Sequence, residues 1–260
     1  MKASLARRLI GLLLAAALAA TGQLDLPRIG YLAEPGGALR PVTGIGGNFL
    51  LGEPVAHEVR AAAFSFRHGL VHAGERLLLV SRGLEVLAWL PVVSRQALVA
   101  VSASAPLGVA WLAETGEICR LRPERGVGPD CFVPPVEGAV RAVGIVAGHL
   151  AALAVEHDRA LWLVLIDLDK KQTVRQTRLV GVEPPVALVG EHVLYHRDGE
   201  LVLRRMNGSE IRSPSPVTAP EFQPVGSGWL SLRGGEGGAL WMLRVSEEGL
   251  ETFRLPGGEP

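Results

Sequence analysis

From residue 74 onward, the apolar residues of this chain fall into short runs broken at regular intervals by glycine and polar turns. One unit recurs: a glycine, an apolar strand, a short polar turn and a second apolar strand. It reads GERLLLVSRGLEVLAWLP from Gly74, GVAWLAETGEICRLRP from Gly108 and GHLAALAVEHDRALWLVLIDLD from Gly148. It returns as GEHVLYHRDGELVLRRM from Gly190 and GWLSLRGGEGGALWMLRV from Gly228. The starting glycines are 34, 40, 42 and 38 residues apart. Several runs, such as residues 77–80, 161–166 and 201–203, are apolar without alternation. That is the pattern of strands covered on both faces. The turns at 114–117, 197–200 and 234–238 supply glycine and acidic residues that accept positive φ and close hairpins.

Flanking apolar segments extend each unit. Residues 61–66, 97–101, 139–146, 186–189 and 222–225 lie upstream, and 130–133, 173–180 and 250–255 downstream. Most units therefore supply four strands; the first is weak at its fourth, because 91–96 leaves little room. No segment after the N-terminus has a long helical period.

The glycine-rich stretch GYLAEPGGALRPVTGIGG at 30–47 poses a separate question. A phosphate loop needs a strand before it and a helix N-terminus after it, so that N–H groups converge on the anion. Here NFLLGEPV follows, with a glycine, a proline and no helical period. The stretch is instead a hairpin: strands at 29–33 and 38–42, turned at Glu34-Pro35-Gly36-Gly37.

The units over residues 74–255 resemble the blades of β-propeller repeat proteins, whose four-stranded blades repeat at about 40 to 45 residues. The Trp-Asp signature of one propeller class is absent: Gly148-His149 occurs, but no Trp-Asp follows. The resemblance is to propellers in general and carries no site residues. It implies an all-β propeller of five full four-stranded units plus the hairpin around Tyr31, or six blades if that hairpin forms one.

The N-terminus changes the setting. Lys2, Arg7 and Arg8 precede an apolar run at 10–20 that ends in small residues. This is the form of an export signal, too short for the roughly 20 apolar residues that span a bilayer. The expected organisation is a signal peptide over 1–22 and one propeller domain over 23–260, periplasmic or extracellular. Lys plus Arg equals Asp plus Glu at 26 each. There is no basic excess for nucleic acid, and no membrane insertion is expected after cleavage. In an oxidising compartment the two cysteines, Cys119 and Cys131, are expected to bridge across a hairpin centred on Arg125-Gly126.

Candidate chemistry is sparse. His192 and His196 on a strand would sit about 13 Å apart, too far for two ligands of one zinc. His68 and His72 share that spacing around Gly69 and read as a turn. Asp167 and Asp169 would share a face about 7 Å apart, beside Lys170 and Lys171, as a solvated strand end. Glu156-His157-Asp158 and Asn207-Gly208-Ser209 read as turns, the latter also matching a glycosylation acceptor. Trp89, Trp111, Trp162, Trp229 and Trp241 fall in the repeated strands and are expected to fill space between blades. No catalytic, metal or cofactor set emerges, and no cofactor is expected. The reading is a non-catalytic binding or assembly module for a protein or glycan, with contact on loops such as 197–200 and 234–238. The alternative is a propeller-type hydrolase or lactonase, which requires polar side chains converging at the channel mouth.

Overall fold

The computed structural model describes residues 26–123, 130–234 and 239–256. The expected signal at 1–22, the Arg125-Gly126 hairpin tip and residues 235–238 of one expected contact turn lie outside them. Every regular element described is a strand, and the strands form six antiparallel sheets of consecutive elements. Blade 1 holds β1 (Arg28–Ala33), β2 (Leu39–Ile45) and β3 (Asn48–Leu51). Blade 2 holds β4 (Val59–Phe64), β5 (His68–Ala73), β6 (Arg76–Ser81) and β7 (Val86–Pro91). Blade 3 holds β8 (Ala97–Val101), β9 (Gly108–Leu112), β10 (Glu117–Leu121) and β11 (Asp130–Phe132). Blade 4 holds β12 (Ala139–Ala147), β13 (Leu150–His157), β14 (Ala160–Asp167) and β15 (Gln172–Leu179). Blade 5 holds β16 (Val186–Val189), β17 (His192–Arg197), β18 (Glu200–Arg204) and β19 (Glu210–Pro214). Blade 6 holds β20 (Glu221–Gly226), β21 (Trp229–Arg233), β22 (Leu240–Val245) and β23 (Leu250–Arg254). The protein is a six-bladed β-propeller.

The turns follow local chemistry. Asp158 and Arg159 (φ 49° and 58°), like Asp198 and Gly199 (φ 54° and 80°), take paired left-handed conformations. Such two-residue turns match the twist of the strands they join. Each hydrophobic cluster of the core draws on two neighbouring blades, and the six clusters run once round the ring. Both faces of each blade are therefore buried, which explains apolar runs without alternation. The ring closes where Leu32, Val42 and Phe49 of blade 1 pack on Val225, Leu240 and Met242 of blade 6.

Two expectations need correction. The unit beginning at Gly74 is the third and fourth strands of its blade, whereas the other four units are second and third strands. The second strand of blade 2 is β5, which contains His68 and His72, so these histidines lie on a strand and not at a turn. The short 34-residue interval is this one-strand slip in phase. The N-terminal hairpin gains a third strand, β3, and so forms a blade of its own.

Blade 1 has no innermost strand. β4, β8, β12, β16 and β20 ring the axis in one common direction: their first residues line one end of the channel and their last residues the other. β1 runs the opposite way. Its final residue Ala33 reaches the first end, while Arg28 at its start donates to the Arg82 carbonyl in the far β6–β7 turn. Like the second strands elsewhere, β1 is buried along most of its length. β4 and β20 consequently meet in front of it, and the Phe66 N–H donates to Ser227 Oγ at 2.9 Å.

Candidate functional site

The channel has two mouths. Where the innermost strands begin, a cavity of about 430 Å³ opens, walled by alanine, valine and leucine of β4, β8, β12 and β16 and by Phe222 and Pro224 of β20. Its polar lining comprises Glu34, Arg60, Arg141, Glu221, Gln223, Ser231 and Arg233. The cavity at the opposite mouth, about 220 Å³, is lined mainly by apolar and glycine residues and by nothing from blade 1. The turns joining second to third strands, 197–200 among them, lie at the same end of the ring as the arginine-lined mouth, since second strands run back toward it.

Partners distinguish the lining charges. Arg141 is held by Glu156 at 2.7–2.8 Å, and Glu34 by Arg40 at 3.5 Å. Arg60 and Arg233 have no ion-pair partner among the described residues. Guanidinium groups stay charged, cannot serve as general bases, and present planar donors that fit carboxylate and phosphate. The chemistry on offer is recognition of an anion at the mouth of a rigid ring. None of these residues stood out in the sequence. Their one signal is a lone arginine in an apolar strand, as in VRAAAF, AVRAVGI and WLSLR.

The sequence candidates lie elsewhere. Asp167 is 6% exposed rather than solvated, and accepts the N–H groups of Asp169 and Lys170. Those N–H groups, Lys170's first, hold its carboxyl below the usual range. Asp169 pairs with Arg120, which also binds Asp130 at 3.0 Å; Lys171 binds Asp130 at 2.7 Å. These ion pairs tie blade 3 to blade 4. Hydrogen bonding from Arg120 holds Asp169 low, and from Lys171 holds Asp130 low.

His192 and His196 stand on β17 opposite Val189 and Leu201. No group of three or more His, Cys, Asp or Glu gathers among the described residues. His157 ends β13 and faces Asp158 at 3.3 Å. Asn207 caps its own turn, accepting from the Ser209 N–H and hydroxyl. Trp111, Trp162, Trp229 and Trp241 pack between blades, whereas Trp89 is 55% exposed on the outer edge of blade 2 under Arg76. Cys119 and Cys131 form a disulfide between facing residues of β10 and β11. No helix among the described residues is long and apolar enough to cross a membrane.

No protein-family model and no curated protein matches the chain. Among solved structures, it is similar to Hsv2 of Kluyveromyces lactis, with 11% identity and a TM-score of 0.44 over 85% of this chain and 83% of that one. It is similar also to Hsv2 of Kluyvelomyces marxianus, with 10% identity and a TM-score of 0.44 over 85% and 82%.

Proposed function

We propose that this protein is an exported, non-catalytic propeller that binds a protein partner at its arginine-lined mouth. The observation that carries this reading is the contrast between the two mouths. One end presents guanidinium groups without an ion-pair partner among the described residues, at a cavity of about 430 Å³; the cavity at the other end is about half that volume and lined mainly by apolar side chains and glycines. Loops fixed on a rigid frame are where binding residues collect. The polar set at the mouth is arginine-rich, and its one hydroxyl, Ser231, has no hydrogen-bonded base among the described residues, which supports recognition rather than hydrolysis. The N-terminal sequence and the disulfide support export into an oxidising space.

The test places a photo-crosslinker at Asp198, at this mouth's end of the ring, and in a second protein at Asn207, on the opposite end. Covalent adducts from Asp198 but not Asn207, in extracts of the exported compartment, are the expected result. Equal labelling from both, or none from either, overturns the reading. So does robust turnover of an ester, lactone or phosphoester by the purified protein, with or without calcium or zinc.

A further inference from the structure

We infer that the place left by the missing innermost strand of blade 1 is a docking recess for an extended acidic peptide of a partner, which completes the blade. The inference rests on the binding reading above and names what the mouth takes. Four observations converge on it.

The first is a strand edge with no partner strand among the described residues. β2 uses its odd residues toward β3 and the following loop: Leu39 N–H donates to the Ala56 carbonyl, Val55 N–H to the Leu39 carbonyl, and Gly52 N–H to the Pro41 carbonyl. Arg40 and Val42 therefore face β1 and pair with Leu32 and Gly30. Backbone groups alternate in direction along a strand, so those of Tyr31 and Ala33 point away from β2. No described strand pairs with them there. In every other blade that position is filled by an innermost strand.

The second is space. β4 and β20 touch at the far end, through Phe66 and Ser227, but the cavity between their first halves reaches Ala33, Glu34 and Pro35. Ser231 and Arg233 of β21 also line it, although they belong to a second strand. The whole mouth, of which this recess is one side, holds about 430 Å³, within the usual range for a ligand site. A three-residue strand needs a length of about 10 Å.

The third is charge. Arg60 enters from the blade 2 wall and Arg233 from the blade 6 wall, so the two flank the recess. With Glu34 and Arg141 already engaged, the remaining lining charges are these two arginines against Glu221 alone. The fourth is direction. The other innermost strands enter from this mouth and run antiparallel to their second strands. A peptide that enters likewise brings its backbone to Ala33, the end of this edge that the cavity reaches, and leaves its first residues at the mouth, within the arginine field. Strand addition of this kind takes affinity from the main chain and specificity from the side chains.

The experiment uses fluorescent, capped pentapeptide pools with either Asp/Glu or Lys fixed at the first two positions, read by anisotropy against the full mature protein. The acidic pools are expected to bind about tenfold tighter or better, the scale of hydrogen bonds to charged groups. Arg60→Glu with Arg233→Glu abolishes that preference, and Arg60→Lys with Arg233→Lys retains most of it. Neither arginine has an ion-pair partner among the described residues, so thermal melts should show these variants folded. Methylating alternate amides of the best peptide should weaken binding in one register and spare the other, as for a strand with one paired edge. Binding that survives the double reversal, or is indifferent to amide methylation, overturns the proposal. So does the absence of binding by any pool while Asp198 still crosslinks a partner, a result that leaves the binding reading intact. If the Asp198 crosslink also fails, both readings fall.

Discussion

Gly30 of β1 lies directly against the carbonyl of Val225 in β20, where a Cβ on Gly30 would come within 1.8 Å of the carbonyl oxygen. The contact is reciprocal: a Cβ on Gly226 would lie 2.3 Å from the Ile29 oxygen. Two backbones thus touch with no side chain between them. This close approach lets a blade without an innermost strand wedge into the ring and seal it against blade 6.

Gly30→Ala should therefore destabilise the protein strongly, because the obstacle is backbone and cannot rotate away. Overpacking typically costs about 1–3 kcal/mol, and this site should lie at the upper end. Gly36→Ala is the control, since nothing lies within 4 Å of its Cβ position. Urea unfolding of the two variants measures the difference; near-equal midpoints would show that the two blades do not meet this tightly.

The disulfide gives a second expectation. Cys119 and Cys131 face each other with Cα atoms 4.1 Å apart and close a loop of sequence separation 12. Cys119→Ser with Cys131→Ser should lower stability by about 3 kcal/mol in the chain-entropy view. Intact mass after alkylation without reductant should show no label on the native protein.

Much of this architecture was legible in the sequence, for one physical reason. A blade's second and third strands are buried on both faces and joined by a tight turn, so they read as paired apolar runs with a turn motif between. The exception is β5, HGLVHA, where Gly69 and two histidines break the run. His72 is nonetheless fully buried, and burial is a property of neighbouring blades that local pattern does not carry. The absent innermost strand of blade 1 was equally hidden, since β1 and β2 form an ordinary hairpin locally and only strand direction within the ring exposes the gap. The mouth arginines come from three blades, on two innermost strands and one second strand. They share no repeat position, so a search for residues recurring from unit to unit passes over them.

Glu210 anchors the outer part of blade 5. It accepts from Arg204, from Arg212 at 2.7 Å and from Tyr195 Oη at 2.9 Å, and is 18% exposed. Hydrogen bonding from Arg204, then from Arg212 and Tyr195, lowers its pKa to about 2 against burial. A carboxyl depressed in the folded state adds stability above its ordinary pKa near 4.5, and that stability is lost as pH falls toward 2. The shift corresponds to an upper bound of about 3 kcal/mol. Glu210→Gln should lose most of this at pH 7 and differ little from the parent near pH 2. A constant difference across that range would mean that the carboxylate charge does not matter.

His72 should make stability sensitive to mild acid. It lies between blades 2 and 3, 0% exposed, and neither ring nitrogen meets hydrogen-bond geometry with a partner, although the Ser94 backbone is near. Burial pushes its pKa down first and the charge of Arg60 adds to this; Glu114 and the Ser94 backbone pull upward and are outweighed. The folded state thus takes up a proton less readily than the unfolded chain, whose histidine titrates near 6.5. Stability from this group is complete above pH 6.5 and declines below it, by at most about 1.4 kcal/mol per pH unit for one proton. His68 is lowered as well, by burial and then by Arg67, so the parent alone cannot assign the effect. His72→Leu isolates it. The substitution removes two unpaired nitrogens from an apolar interface beside Leu70 and Leu77, and should cost little at pH 8. Unfolding free energies of parent and variant measured between pH 8 and pH 5 should diverge as the parent weakens. Parallel curves would show that His72 is protonated as easily inside the propeller as outside it.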